Sequence, residues 1–446
     1  MSEEKDSMTD KTRDTEKLND ELDKIKACIH CGICLSACPT YLSTGNEGNS
    51  PRGRLYLIKD LINGTAEQLD STGLEYLDNC LSCMACETVC PSGVEYVELL
   101  DYARHERKEI AYTKGFWGLL RKFSFKYILD RRALMNYFRL GINFLNNFYK
   151  FMPFLPKFNK IQPTRKLSYQ RIETNKLYRS NEEIIEKTDA ERTVIFNLGC
   201  VMDTLYNQVH HDTIKVLNAA GYHVFIAESQ CCGALASHSG EFSIGEEQTN
   251  NFIQSQCDAL NSLFKEENAL SDFTNPIVFN SAGCAAHIKD KMFAESLIIR
   301  DIAELLNPLD WKAPLPLDKF KEKITNLYAS ADKVNAVYHP ACHMYHAQGL
   351  TYQYQALLAL IPNINLIPFL EAEVCCGSAG FYNLIKPKLA EAIGMRKAEN
   401  ISRALSTKGV KSLVITANPG CMSQIEAHLE GAYTVMHPLS VLAGCL

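Results

Sequence analysis

Cysteine placement constrains this chain more than any other feature. The run Cys28-x2-Cys31-x2-Cys34-x3-Cys38-Pro39 recurs with unchanged spacing as Cys80-x2-Cys83-x2-Cys86-x3-Cys90-Pro91. Thiols this dense form disulfide frameworks in small secreted domains that cannot build a sufficient core. A chain of 446 residues, long enough for several domains, has no such need. Residues 1–24 are almost all polar and are expected to form a flexible charged tail rather than a charged-then-apolar leader. In a reducing cytoplasm, clustered thiols point to metal.

The spacing narrows the metal. Three cysteines separated by two residues wrap a turn of chain around one face of an iron–sulfur cube, and the fourth lies too far round to close the same cube, so it reaches its partner. The expected sets are Cys28, Cys31, Cys34 and Cys90 for one [4Fe–4S] cluster, and Cys80, Cys83, Cys86 and Cys38 for the other. Zinc sites pair their ligands across one gap and do not repeat a four-cysteine run ending in proline. Each of those prolines is expected to break the local helix and redirect the chain. Between the runs, RGRLYLIKDLINGTAEQLDSTGLEYLDN has apolar residues at helical spacing with a Gly break, which predicts a mainly helical module over 25–112. Arg52 and Arg54 fit a functional role, tuning a cluster potential or docking a partner, about as well as they fit a solvated turn.

Residues 113–190 read as a basic, aromatic helical connector. Between Lys114 and Lys166 lie twelve Lys and Arg against one acid, Asp130, a local charge of +11 in a chain whose net charge is −6. Thirteen aromatics share the stretch, among them Phe116, Trp117, Phe123, Phe125, Phe148, Phe151, Phe154 and Phe158. That composition suits the surface of an anionic membrane. It also suits a hairpin that wraps the helical module and buries its rings. No groove-reading motif accompanies the charge, so nucleic acid is not an expected partner. The longest uncharged run, 349–370, is interrupted by Gln, Asn and two prolines and is not expected to span a bilayer.

The rest of the chain is a tandem repeat, over 191–312 and 330–446. VIFNLGC ends at Cys200, YHVFIAESQCCG holds Cys231 and Cys232, and IVFNSAGC ends at Cys284. In the same order come NAVYHPAC ending at Cys342, NLIPFLEAEVCCG with Cys375 and Cys376, and LVITANPGC ending at Cys421. Short V/I/F-rich runs alternating with helical stretches predict βα units around a parallel sheet. In such sheets ligand sites form beyond the strands' carboxyl ends, where all eight cysteines fall. Each repeat thus offers four thiols to a metal or cluster, with a redox-active dithiol as the competing reading. Glycine in each Cys-Cys-Gly turn would permit an unusual backbone angle. Cys257 and Cys445 match nothing in the repeat and read as core cysteines. His339, His343 and His346 flank Cys342 and are expected to support the site rather than ligate or move protons.

Together these motifs, with SPRGRLYLIKD, GCVMDTLYN, CCGALASH, CCGSAGFY and TANPGC, resemble the iron–sulfur subunit of glycolate oxidase. That family shares CCG domains with heterodisulfide reductase and the anaerobic glycerol-3-phosphate dehydrogenase. The resemblance implies an α+β chain in which a helical two-cluster ferredoxin module precedes two tandem α/β CCG domains. It also implies an electron-transfer subunit beside FAD-containing glycolate oxidase subunits, passing electrons to a quinone-type acceptor at the inner face of the cell membrane. Other implied readings are a partner for a lactate or glycerol-3-phosphate dehydrogenase, or a heterodisulfide-type thiol enzyme. Heterodisulfide reductases end the repeat in Cys-x-x-Cys, whereas this chain has Ser281-x-x-Cys284 and Asn418-x-x-Cys421, so four thiols remain per repeat. No G-x-G-x-x-G or Walker loop is present, so neither flavin nor NAD is expected on this chain.

Overall fold

The computed structural model describes residues 20–63, 71–106, 119, 122–129, 131–132, 134–137, 139–141, 169–184, 188–189, 191–228, 230–264, 275–291, 297–328, 332–406 and 411–444. Most of the basic connector, most of the N-terminal tail and Cys445 lie outside them.

The first module is built on helices. Ser50 caps Pro51–Ile62 by accepting from the Gly53 amide, and Pro51 occupies the first turn, where a missing N–H costs nothing. Pro51, Arg54, Leu55, Ile58 and Ile62 fall three or four residues apart on one buried face. That face meets Leu77 of helix Ser71–Asp78 and Leu99, Leu100 and Ala103 of helix Tyr96–Glu106. Pro39 starts helix Pro39–Thr44 instead of breaking one. It still redirects the chain, because the residue before it must be extended, as Cys38 is.

Two sheets follow. β1 (Lys176–Tyr178), β2 (Thr193–Phe196), β3 (His223–Ile226), β4 (Ile277–Phe279) and β5 (Ile299–Asp301) lie in the order β1-β3-β2-β4-β5. All neighbours are parallel except β1 and β3. β6 (Val334–Tyr338), β7 (Ile364–Leu366), β8 (Lys411–Ile415) and β9 (Thr434–Met436) form an all-parallel sheet ordered β7-β6-β8-β9. β2, β3 and β4 are buried at every residue, as expected for sheets covered on both faces. β1 comes from the segment expected to be helical. It pairs with the open edge of β3, whose backbone groups would otherwise lack partners.

In each sheet the chain leaves the central strand, β2 or β6, to one side and then crosses to the other. The carboxyl ends of β2 and β6 are therefore switch points, where open sheets form crevices. One apolar core runs through both domains, from Phe196, Val224 and Val278 to Val337, Ile415 and Leu442. Across the seam Lys215 Nζ donates to the Ala443 carbonyl at 2.9 Å, and His437 Nε2 donates to the Asn280 carbonyl at 2.9 Å. Of the connector, Phe125 is buried edge-on against Phe381 and Gln248 donates to its carbonyl, so this part packs on the CCG pair, not on the helical module.

Candidate metal centres

The two ferredoxin-like loops share one backbone shape. His30 and Gly32 in the first, and Ser82 and Met84 in the second, all have positive φ, at matching positions around the second cysteine. Three of the four are not glycine, so each loop holds strain of about 1–3 kcal/mol per residue that its surroundings must sustain. The second loop is tied down by Arg104, which donates to Ser82 Oγ at 2.8 Å and to the Cys80 carbonyl at 2.9 Å. Such turns aim amides at sulfur: Ser82 N lies 3.5 Å from Cys80 Sγ and Val94 N lies 3.4 Å from Cys90 Sγ.

Cys38 is buried and sits with the second loop. Burial pushes the Cys83 and Cys86 thiols well above their ordinary value, and Cys80 and Cys38 raise both further. Burial likewise raises Cys34 to about 11, with Cys38, Cys28 and Cys31 adding to it. Cys90 packs on the same core as Cys28, Cys80 and Cys86. Arg54, 1% exposed, donates to the Tyr76 carbonyl and to Thr40 Oγ1, which is 3.2 Å from Cys38 Sγ. Burial works against this cation, yet Tyr96, Cys80 and Cys38 hold it charged. A buried ion costs several kcal/mol unless a counter-charge is near. An anionic thiolate-bound cluster supplies that charge, so these residues fit a [4Fe–4S] group. Arg52 is the half-buried counterpart: it pairs with Glu47 at 2.6 Å and reaches the His30 carbonyl at 3.4 Å.

All eight repeat cysteines line a single cavity of about 360 Å³ at the switch points of both sheets. Sequence placed four thiols in each repeat but not the two sets face to face. Cys200 and Cys231 are 3.7 Å apart; their hydrogen bond raises the Cys200 thiol and lowers Cys231. In the second set, the bond to Cys375, together with burial, holds the Cys342 thiol well up. Both Cys-Cys-Gly turns need their glycine. Gly233 has φ +85° and a Cβ there would meet the Gly245 carbonyl at 2.3 Å; Gly377 has φ +88° and would meet the Ala390 carbonyl at 3.0 Å. Ser281 and Asn418, where a fifth cysteine would stand, touch each other at 3.5 Å instead. Two converging sets of soft thiolates suit iron–sulfur or zinc coordination.

The helical module opens onto this cavity. Leu81 and Cys83 share one apolar cluster with Cys342, Cys375 and Tyr382. Tyr382 donates to the Asn79 carbonyl at 3.0 Å, and His346 bonds Thr88 at 2.8 Å and the Glu373 carbonyl at 3.1 Å, a supporting role as expected. Lys397, nearly fully buried, donates to the Glu371 and Ala372 carbonyls; burial lowers it to about 8 although Cys376 and Cys375 pull it upward. Sequence reasoning missed Arg104, Lys397 and the His238–His343 ring contact at 5.0 Å. Arg54 was legible in principle, since it falls on the buried face of its own helix. Cys257 is half-buried in helix Phe242–Phe264.

A helical two-loop cysteine module packed against paired thiol sites at strand ends defines an iron–sulfur protein of dicluster-plus-CCG type. Residues 24–94 match the family described as 4Fe-4S dicluster domain, and residues 194–289 and 336–426 match the cysteine-rich CCG domain. The chain is 29% identical to the glycolate oxidase iron-sulfur subunit of Escherichia coli (strain K12), over 95% of this chain and 94% of that one. It is 28% identical to the probable glycolate oxidase iron-sulfur subunit of Bacillus subtilis (strain 168), over 90% and 88%. One chain of the dihydromethanophenazine:CoB–CoM heterodisulfide reductase from Methanosarcina barkeri is 23% identical over 90% and 88%. The chain belongs to this family of dicluster and CCG-domain iron–sulfur proteins, the glycolate oxidase iron–sulfur subunits among them. Among the described residues no helix is long and apolar enough to cross a membrane.

Proposed function

We propose that this chain is the electron-transfer iron–sulfur subunit of a glycolate oxidase complex, taking electrons from an FAD-containing partner that oxidises glycolate to glyoxylate and passing them toward a membrane quinone. One observation carries the relay: cysteines run without a break from the exposed first loop, through Cys38 and the second loop, to Cys83 packed beside Cys342 and on into the shared cavity. The glycolate assignment is supported by the two glycolate oxidase relatives, which match along nearly their whole length.

In this reading Cys28, Cys31, Cys34 and Cys90 hold one [4Fe–4S] cluster, and Cys80, Cys83, Cys86 and Cys38 the other. Cys200, Cys231, Cys232 and Cys284, and Cys342, Cys375, Cys376 and Cys421, hold a metal centre in each CCG domain. Bound clusters supply one-electron storage. The residues of the chain set its direction: Arg54 places a buried cation at the inner dicluster set, and Arg52 a solvated one at the outer set. Leu81, Tyr382 and Phe381 keep water from the passage between dicluster module and cavity. The connector provides the membrane contact, with Leu119, Phe123, Tyr127, Tyr137 and Leu140 exposed beside Lys122, Lys126 and Arg131.

Anaerobic purification with co-purifying partners tests this. About eight irons per chain would fill the dicluster module alone, and more would load the CCG sites. Glycolate-dependent quinone reduction should require this chain; activity that survives its deletion removes the relay role.

A further inference from the structure

His339 was expected to be a satisfied supporting residue, and the structure leaves it unsatisfied. It directly follows β6, fully buried, three residues before Cys342. Its Nδ1 lies 2.8 Å from the Ala372 carbonyl, which can only accept, so the ring proton is on Nδ1. A second proton, on Nε2, would find no acceptor in this buried position. Nε2 therefore carries a lone pair, and it has no partner among the described residues. A ring nitrogen of His339 lies within 4.8 Å of both Cys376 Sγ and Cys421 Sγ, themselves within 4.8 Å of each other. Once those sulfurs are thiolates, a second lone pair facing them is repulsive unless a cation sits between. Donors around a tetrahedral metal sit about 3.5 Å apart, a contraction of about 1 Å from this limit. A backbone carbonyl fixing the tautomer of a ligating histidine is the usual supporting contact.

The first repeat lacks this arrangement. Asn197 stands where His339 does, three residues before Cys200, and its Oδ1 is spent accepting from Gly199 N at 2.7 Å. A neutral amide is a poor ligand for a soft metal. We infer that the two CCG centres are chemically unequal: His339 Nε2 ligates the metal of the second centre beside its thiols, and the matching position of the first centre, Asn197, offers no imidazole. This rests on the proposal that the CCG sites hold metal.

The experiment uses the full chain, purified anaerobically with its partners, as wild type, Cys376→Ser, His339→Ala, His339→Gln and Asn197→Ala. Cys376→Ser defines the metal of the second centre by what it removes; if it removes none, the metal reading of the CCG sites fails, and this inference with it. For iron, pulsed EPR of the reduced protein is expected to give a strongly coupled nitrogen that changes isotope on 15N-histidine labelling. For zinc, its X-ray absorption edge is expected to carry imidazole scattering. Either signal should vanish in both His339 variants and persist in Asn197→Ala, and His339→Ala should lose metal to a chelator at least about tenfold faster. A loaded second centre with no histidine signal, or with one that survives His339→Ala, overturns the inference and leaves the metal reading standing.

Discussion

The two CCG domains share strand order, cysteine order and a glycine turn, yet differ in what lies behind the sulfurs. The second presents His339 and the buried Lys397 to its thiols, whereas the first presents Asn197 at the position of His339. The second also touches the dicluster module through Cys83. A duplicated fold thus preserves the positions of its thiols, because strand ends and turns dictate them. The wall behind those thiols is free to diverge, and it would set the affinity and potential of any centre they hold.

The sharpest way to break the comparison is to remove one thiol from each set. Cys232→Ser should empty the first centre alone and Cys376→Ser the second alone, read as metal per chain; loss of both from either variant would make them one shared site. Next in size is the pair of turn glycines. Gly233→Ala meets backbone at 2.3 Å and should cost about 3 kcal/mol or more, while Gly377→Ala, at 3.0 Å, should cost about 1–2 kcal/mol. Equal midpoints in chemical denaturation would contradict that order.

The seam between the domains should respond to pH. Burial lowers His437 to about 3, so the unfolded chain takes up its proton near 6.5 and the folded chain does not. The stability it contributes is present above about 6.5 and is lost as pH falls below that, amounting to about 2 kcal/mol between pH 7 and 5. His437→Gln should flatten that part of the melting-temperature profile; an unchanged slope would place the pH dependence elsewhere. The smallest effect concerns Lys397. Exchanging its charge in Lys397→Met should make reduction of the second centre harder by about 60 mV, equivalent to a tenfold shift in a one-electron equilibrium, and leave the first unmoved. A redox titration followed by EPR measures both.

Much of this was written in local spacing. Four-cysteine runs, helical periodicity over Pro51–Ile62 and V/I/F-rich runs before each cysteine specify modules, strands and thiol positions, because each depends on neighbours a few residues away. β1 was not legible: three residues carry no usable period, and only the open edge of β3 gives them a place. Pro39 was misread because the same fixed φ that ends a helix also begins one. The facing of two thiol sets across one cavity, the burial of Arg54 beside Cys38, the passage from Cys83 to Cys342 and the unpartnered nitrogen of His339 were decided by tertiary packing alone. They depend on which distant segments share a low-dielectric interior, and that environment, more than the identity of a side chain, determines charge, tautomer and reach.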